Sequence, residues 1–220
     1  MKVIKPSFEV LTQISPFGIR ELQHIEKIGR VCYKSEDKIT EDGESAKKFV
    51  SMLIKRGHEA MIEHGSISVK FICDRGVSHE LVRHRIASFA QESTRYCNYS
   101  QDKFGSELTF IKPCFWEEGS DEYRDWEYSV ATAERCYMDL LGHGATPQEA
   151  RSVLPNSLKT EITITANYRE WRNIFKLRTA MAAHPQMREI MCPLLLYFQE
   201  HISVLFDDIT CLDYSTKVDE

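Results

Sequence analysis

Apolar residues recur every three or four positions in several long segments, which is typical of helices with one buried face. The first such segment carries Ile19, Leu22, Ile25, Ile28 and Val31, with Ser15 as a cap before Pro16. The other predicted long helices are "ESAKKFVSMLIKRGH", ended by Gly57, residues 121–141, "YREWRNIFKLR", and "MREIMCPLLLYFQEHISVLF", which Pro193 can kink. "TPQEARSVLP" predicts a short helix with Thr146 as its N-cap and Pro147 in its first turn.

Strict alternation of apolar and polar residues predicts strands in three places: "FEVLTQI" (Phe8 to Ile14), "SISVKFICD" and "TEITITAN". A further helical spacing, at Val77, Leu81, Val82 and Ile86, predicts a short helix that ends near Arg83 to Arg85. The following "ASFAQESTRYCNYS" is expected to be irregular or extended. The pattern therefore indicates a mixed α/β protein in which helices dominate, and it leaves the order of the strands open.

Composition narrows the class of protein. With 220 residues and 42% hydrophobic residues, the chain can bury a sizeable core, and without a linker-like stretch it is expected to form one domain, 1–220. The apolar run "LLLYF" is too short to span a bilayer, and the N-terminus lacks the apolar core of a secretory signal. We therefore expect a cytoplasmic protein that does not associate with membranes.

The seven cysteines are scattered, and none has C-x-x-C spacing. This pattern argues against a disulfide framework and against a thiolate zinc site. Most of these cysteines are expected to be small core residues.

The segment "RHRIASFAQESTRY" concentrates cationic and hydroxyl side chains in a chain of net charge −5. One interpretation is a solvated basic turn, although the interspersed apolar residues weigh against it. A nucleic-acid surface is disfavoured because such binding needs a broad basic face. A pocket for a phosphorylated small molecule is favoured, since arginine matches phosphate oxygens bidentately and Ser93 can complete the site.

A second polar cluster, "GHEAMIEHG", contains His58, Glu59, Glu63 and His64. A zinc-protease helix needs histidines four residues apart, and the residue four after His58 is Ile62, so that motif is excluded. Another metal geometry, a solvated helix end, or glutamates that orient nearby arginines all remain open, and no metal site is assigned.

Further polar residues lie late in the chain: Arg151 in "ARSVLP", then Asn167, Arg169, Asn173 and Arg178 in "TANYREWRNIFKLR". Arg169 and Asn173 are four apart and should share one helix face, whereas Arg178 should lie on another side. Ordinary surface arginines are the alternative.

Together these motifs resemble the flavin-dependent thymidylate synthases. The hallmark of that family is R-H-R, seven residues and then Ser, which here is Arg83-His84-Arg85, "IASFAQE" and Ser93, followed by "TRY". The stretches "GHE....EH", "ARSVLP", "AN.R" and "KLR" occur in the family's order. The resemblance covers Ser51 to Met191.

The resemblance implies a fold of the α+β type, with a mixed, largely antiparallel sheet packed by helices. It implies methylation of dUMP to dTMP, with 5,10-methylenetetrahydrofolate as carbon donor and NADPH-reduced FAD as hydride donor. It also implies a homotetramer with active sites at subunit interfaces and no nucleic-acid partner.

Site residues follow from the resemblance position by position. FAD would contact His58, Ala60, Arg83, His84, Arg85, Gln91, Asn167, Tyr168, Arg169 and Asn173. The dUMP site would include Glu80, Leu81, Val82, Arg83, Gln91, Glu92, Ser93, Thr94, Arg95, Arg151 and Arg178. Arg178 would be catalytic and favour the N3-deprotonated uracil ring. A fixed guanidinium suits that role because it stabilises developing charge without changing its own protonation.

Four positions depart from the family pattern. Ala60 and Met61 replace a hydroxyl residue and proline, Glu80 replaces glutamine, and Ala90 replaces a polar residue. Ser93 could attack C6 of the pyrimidine, but no base stands at a readable spacing, so phosphate binding is preferred. The alternative to an enzyme is a non-catalytic module that binds nucleotide phosphate.

Overall fold

The computed structural model of the chain describes residues 1–101 and 105–211. It contains six strands: β1 (Lys2–Ile4), β2 (Ser7–Val10), β3 (Ser66–Asp74), β4 (Ala87–Gln91), β5 (Thr109–Ile111) and β6 (Lys159–Asn167). The α-helices in this part of the chain are α1 (Ile19–Val31), α2 (Glu44–Lys55), α3 (Arg75–Leu81), α4 (Asp121–Gly142), α5 (Pro147–Ala150), α6 (Tyr168–Arg178) and α7 (Pro185–Ile202). Short 3-10 helices include Pro16–Gly18, Glu59–His64 and Arg151–Val153.

The strands form two sheets. β1 and β5 pair in parallel, with Val3 opposite Phe110. The other four strands lie in the order β2-β3-β6-β4. The result is a mixed α/β fold with an antiparallel sheet and helices, which confirms the expected fold class.

The chain divides into two compact units, each made of three segments. The first unit comprises residues 1–8, 70–83 and the described residues between 89 and 163, and the second comprises residues 9–69, 84–88 and 164–211. The expectation of one catalytic domain over the whole chain stays a prediction.

Each unit has its own apolar core. In the first unit, Tyr123, Trp126 and Tyr137 of α4 pack with Leu108 and Phe110. In the second unit, the rings of Trp171, Phe175, Phe198 and Phe206 form a cluster, and neighbouring rings have centroid separations of 5.1 to 5.7 Å. These four rings hold α6 against α7, and α6 carries most of the polar residues that the sequence singled out late in the chain.

Most predicted elements are confirmed, and α6 has the predicted bounds. The capped helix after Thr146 is also present, with Glu149 closing a capping box. The first predicted strand is shorter than expected and ends at Val10. After Val10, the backbone N–H of Leu11 donates to the carbonyl of Ser68 at 2.9 Å, and the hydroxyl of Thr12 accepts the N–H of Ser68 at 2.8 Å.

The expectation for the cysteines is wrong. Among the seven, only Cys73 and Cys192 are buried, whereas Cys32 and Cys114 are exposed. Cys32 is the C-cap residue of α1, and its Sγ lies 4.0 Å from Sδ of Met61. A disulfide joins Cys192 of α7 to Cys211, which the spacing along the sequence did not predict.

Candidate functional site

Helix α6 starts directly after strand β6, and this junction orients its polar residues. The side chain of Asn167 caps the helix, because its Oδ1 accepts the backbone N–H of Glu170 at 2.8 Å. Trp171, Ile174 and Phe175 point into the core of the second unit and are fully buried. The opposite face of α6 is therefore presented to a cavity.

That cavity has a volume of about 410 Å³ and lies within the second unit. Its lining residues are Glu59, Glu63, Ile86, Asn167, Arg169, Glu170, Arg172, Asn173 and Lys176. Arg169 and Asn173 both line it, which confirms that they share a helix face. A volume of this size is typical of small-molecule pockets.

Glutamates of the 3-10 helix Glu59–His64 pair with the arginines of α6. The Glu63 carboxylate lies 2.5 Å from Nη1 of Arg169. The Glu59 carboxylate lies 3.4 Å from Nε of Arg172 and 3.7 Å from Nε of Arg169. Of the alternatives left open for "GHEAMIEHG", the structure therefore favours glutamates that orient arginines. Among the described residues, no group of three or more His, Cys, Asp or Glu side chains is arranged to hold a metal ion.

His84, the central residue of R-H-R, is buried, with 6% of its surface exposed. Its Nδ1 lies 3.1 Å from Oε1 of Glu170, and its Nε2 lies 3.0 Å from Nε of Arg178. Burial and the Arg178 charge lower the pKa of His84, and the Glu170 carboxylate opposes them. Both ring nitrogens therefore have protein partners.

Arg83 and Arg85, on either side of His84, are exposed. Neither guanidinium takes part in an ion pair within residues 1–101 and 105–211. Two cations without a carboxylate partner in this part of the chain suit an anionic ligand. The predicted contact of both with FAD stays a prediction.

The other residues predicted to contact FAD lie in different settings. His58 is exposed, and its Nδ1 lies 3.4 Å from the hydroxyl of Tyr33. Ala60 is exposed on the 3-10 helix. Tyr168 is buried at the start of α6, and its backbone N–H donates to the carbonyl of Gly65 at 3.1 Å. Burial raises the pKa of the Tyr168 hydroxyl.

In the first unit, the two residues before Ser93 have well-defined partners. The Gln91 amide nitrogen donates to the hydroxyls of Ser78 at 2.9 Å and Thr160 at 3.2 Å. The Glu92 carboxylate accepts from the Tyr99 hydroxyl at 2.8 Å and the Lys159 ammonium at 3.1 Å. These contacts fix both side chains on the sheet.

The predicted dUMP residues that follow form a turn. The hydroxyl of Ser93 accepts the backbone N–H of Arg95 at 3.3 Å. The Arg95 guanidinium is exposed and lies over the ring of Tyr96, 5.5 Å from its centroid. Thr94 is buried, and Arg151 is exposed on its 3-10 helix.

The three predicted dUMP residues around the end of α3 differ in exposure. Leu81 is fully buried, Glu80 is partly buried, and Val82 is 39% exposed. The side chain of Leu81 is therefore a core residue.

The family model described as thymidylate synthase complementing protein matches residues 19–202 of this chain. The chain belongs to this family. The family resemblance predicted from the sequence is thus confirmed.

Two relatives of this chain are named flavin-dependent thymidylate synthase. A flavin-dependent thymidylate synthase of Pyrococcus abyssi is 32% identical over 163 residues, which are 74% of this chain and 65% of that protein. One of Corynebacterium aurimucosum is 31% identical over 212 residues, covering 88% of this chain and 83% of that protein. The chain thus spans slightly less than two thirds of the length of the Pyrococcus relative.

A solved structure supports the same fold. The chain superposes on a UMP/dUMP methylase, PolB, from Streptomyces cacaoi bound with 5-Br dUMP, with a TM-score of 0.75 and 22% sequence identity. The likeness covers 94% of this chain and 96% of that chain.

Three charged cavity residues of this family member were missed by sequence reasoning: Glu170, Arg172 and Lys176. The helical period could have indicated Arg172 and Lys176, because positions 169, 172, 173 and 176 follow the three-and-four spacing of one face, whereas Glu170 lies outside that set. Arg172 was the hardest to anticipate, since it is 2% exposed and bonds to Asp208 far along the chain.

Proposed function

We propose that this chain is a flavin-dependent thymidylate synthase, an enzyme that binds FAD and methylates dUMP to dTMP. The observation that carries the proposal is the family match over residues 19–202, which includes R-H-R and Ser93. The names of the relatives support flavin dependence. The bound 5-Br dUMP of the Streptomyces protein supports a pyrimidine nucleotide as substrate.

The residues of the second unit suit a flavin dinucleotide. The cavity offers the amide groups of Asn167 and Asn173 as hydrogen-bonding partners and the ammonium of Lys176 as a cation. Its volume is smaller than a whole dinucleotide, so we propose that it takes only part of FAD. The exposed guanidinium of Arg85 would bind the phosphates. When bound, the reduced flavin supplies the hydride for the reaction.

We assign the nucleotide phosphate of dUMP to the first unit. Ser93 offers a hydroxyl there, and the exposed guanidinium groups of Arg95 and Arg151 offer bidentate donors. Gln91 keeps its amide oxygen for the nucleotide, because its nitrogen already donates to two hydroxyls. The phosphate-binding role of Ser93 is preferred over nucleophilic attack.

Arg178 is the residue to which we assign the catalytic role. Negative charge on N3 and O4 of uracil makes C5 nucleophilic, and a guanidinium beside that edge stabilises the charge. Arg178 is partly buried. Its electrostatic interaction with the charged uracil edge is therefore stronger than it would be in water.

The full reaction requires further partners. We propose 5,10-methylenetetrahydrofolate as the carbon donor, NADPH as the reductant, a homotetramer as the active assembly and the cytoplasm as the location. No helix in the described ranges has both the length and the apolar character of a membrane span. These assignments rest on the family resemblance.

The test is a visible absorption spectrum of the purified protein, followed by an assay for dTMP. We expect yellow protein whose flavin bands shift on addition of dUMP, and dTMP formation when methylenetetrahydrofolate and NADPH are supplied. Colourless protein that does not bind added FAD would contradict the proposal. Binding of dUMP without flavin and without turnover would instead indicate a non-catalytic nucleotide-binding module.

A further inference from the structure

Three buried or partly buried side chains of the second unit are hydrogen-bonded in series: Glu170, His84 and Arg178. Oε1 of Glu170 lies 3.1 Å from Nδ1 of His84, and Nε2 of His84 lies 3.0 Å from Nε of Arg178. His84 and Glu170 are 6% and 7% exposed, so water has little access to either contact.

The chemistry of arginine fixes the tautomer of His84. A guanidinium N–H can only donate, so Nε2 of His84 must carry the lone pair that accepts it. The ring proton then sits on Nδ1 and is donated to the Glu170 carboxylate. Burial and the Arg178 charge lower the pKa of His84, which keeps the ring neutral and able to accept from Arg178.

Glu170 is itself held in place. Its carboxylate accepts from Nδ2 of Asn173, at 3.2 Å to one oxygen, and its backbone N–H donates to Asn167. Glu170 and Arg178 are both on α6, eight residues apart. His84 therefore connects two positions about two turns apart on the same helix.

We propose that His84 and Glu170 are positioning residues for Arg178, with the neutral His84 ring fixing the plane of its guanidinium. This inference rests on the proposed function, in which Arg178 stabilises the charged edge of the pyrimidine. The contact engages the Nε–H edge, and because the guanidinium is planar, it also sets the direction of the two terminal amino groups. Loss of this contact would remove one restraint on that direction, and catalysis depends steeply on orientation.

A matched pair of substitutions separates positioning from general support of the fold. His84→Gln can place an amide oxygen near the site of Nε2 and so still accept from Arg178. His84→Asn keeps a donor near the site of Nδ1 for Glu170 but has no atom that reaches Arg178. Both substitutions remove the imidazole ring. If His84 only supported the fold, the two variants should therefore lose the same amount of activity.

The first measurement is kcat for dTMP formation at saturating dUMP, with flavin content measured by absorbance in each variant. We expect His84→Asn to lower kcat on the order of 10²-fold. We expect His84→Gln to recover most of that loss, with equal flavin content in the two variants. Equal losses in kcat, or losses that track flavin content, would overturn the inference.

The second measurement does not depend on turnover. Nitrogen-15 NMR of the histidine rings, with the His84 signals identified by their absence from His84→Asn, should show protonation on Nδ1 alone at pH 7. Arg178→Ala and Glu170→Ala should each convert this into a mixture of tautomers, whereas Glu170→Gln should preserve it, since its amide oxygen still accepts. An Nε2-protonated or doubly protonated ring in the wild-type protein would refute the inference.

The two measurements also separate this inference from the proposed function. If wild-type protein makes dTMP and kcat is equally low in His84→Asn and His84→Gln, only the inference about His84 fails. If wild-type protein makes no dTMP, the proposed function fails, and the NMR result alone decides whether His84 orients Arg178.

Discussion

Asp208 forms a two-fold ion pair with Arg172, in which Nη1–Oδ1 is 2.6 Å and Nη2–Oδ2 is 2.7 Å. Arg172 is 2% exposed and also donates to the carbonyl of Leu205 and to Glu59. Burial alone would lower the pKa of Arg172, but the Asp208 and Glu59 carboxylates raise it overall. The segment after α7 therefore supplies the charge that compensates a buried guanidinium beside the cavity.

Asp208→Asn should destabilise the protein by about 1–3 kcal/mol at pH 7, because it leaves a buried guanidinium short of one negative charge. Urea unfolding followed by circular dichroism measures the free energy. The neighbouring Asp207→Asn is the matched control. Burial and the charge of Asp208 raise the pKa of Asp207, so neutralising Asp207 should be harmless or mildly stabilising.

The same ion pair gives a pH dependence with a definite sign. The Arg172 hydrogen bond lowers the pKa of Asp208 below its ordinary value of 3.8. The contribution of the Asp208–Arg172 ion pair to the free energy of unfolding is therefore fully present above pH 3.8. It is lost as the pH falls through the lower pKa that Asp208 has in the folded state. The difference in stability between wild type and Asp208→Asn should shrink between pH 5 and pH 2. A difference that stays constant over this range would contradict the role of the charge.

Arg178→Ala should lower kcat for dTMP formation by about 10²–10³-fold or more, which would leave almost no turnover. The reason is that one preorganised donor to the developing charge is lost. The fold should be kept, with a loss of about 1 kcal/mol from the missing bond to His84. Arg124→Ala is the control, since that exposed arginine pairs locally with Asp121 on α4 and with the carbonyl of Gly119. Turnover close to wild type in Arg178→Ala would show that the catalytic assignment is wrong.

Ser93→Ala should act on substrate binding and not on chemistry. Loss of one hydroxyl donor to a charged phosphate corresponds to a rise of about 10- to 100-fold in KM for dUMP. We expect kcat at saturating dUMP to change little, and Ser129→Ala, on the exposed face of α4, to leave both constants unchanged. Complete loss of rate at saturating dUMP would support the nucleophile role of Ser93 instead.

Local patterns in the sequence predicted the strands and helices that bury one apolar face. The alternation of Ile67, Val69, Phe71 and Cys73 predicted β3, and all four are buried. The bounds of helix α6 were predicted to the residue from "YREWRNIFKLR", and the structure shows Asn167 both ending β6 and capping the helix. Strands β1 and β5 were missed, because each has three residues, which is too short for an alternation of apolar and polar residues to be recognised.

The candidate site was less accessible to sequence reasoning, for a physical reason. Its ion pairs and hydrogen bonds join distant positions, such as Glu63 with Arg169 and His84 with Glu170, and no local spacing encodes them. The sequence indicated that glutamates of "GHEAMIEHG" could orient arginines, but it could not say which ones. It also could not show that His84 is buried between two exposed arginines.

Gly65→Ala tests the packing at the start of α6. A Cβ at Gly65 would lie 2.1 Å from a ring carbon of Tyr168, which is 3% exposed and surrounded by core. The ring has little room to move, so either the strand entry or α6 must shift, at a cost of about 1–3 kcal/mol. Because Tyr168 sits between Asn167 and Arg169, we also expect weaker binding of added FAD, measured by fluorescence titration.

The matched control is Gly142→Ala at the end of α4, where a Cβ would meet nothing within 4 Å. Alanine there should leave FAD binding unchanged and stabilise the helix by about 0.5–1 kcal/mol, because glycine loses more backbone entropy on folding. Thermal unfolding of the two variants gives the comparison. If the unfolding temperature of Gly65→Ala is no lower than that of Gly142→Ala, the Tyr168 ring has room to move away. The contact with Gly65 then does not hold α6 in place.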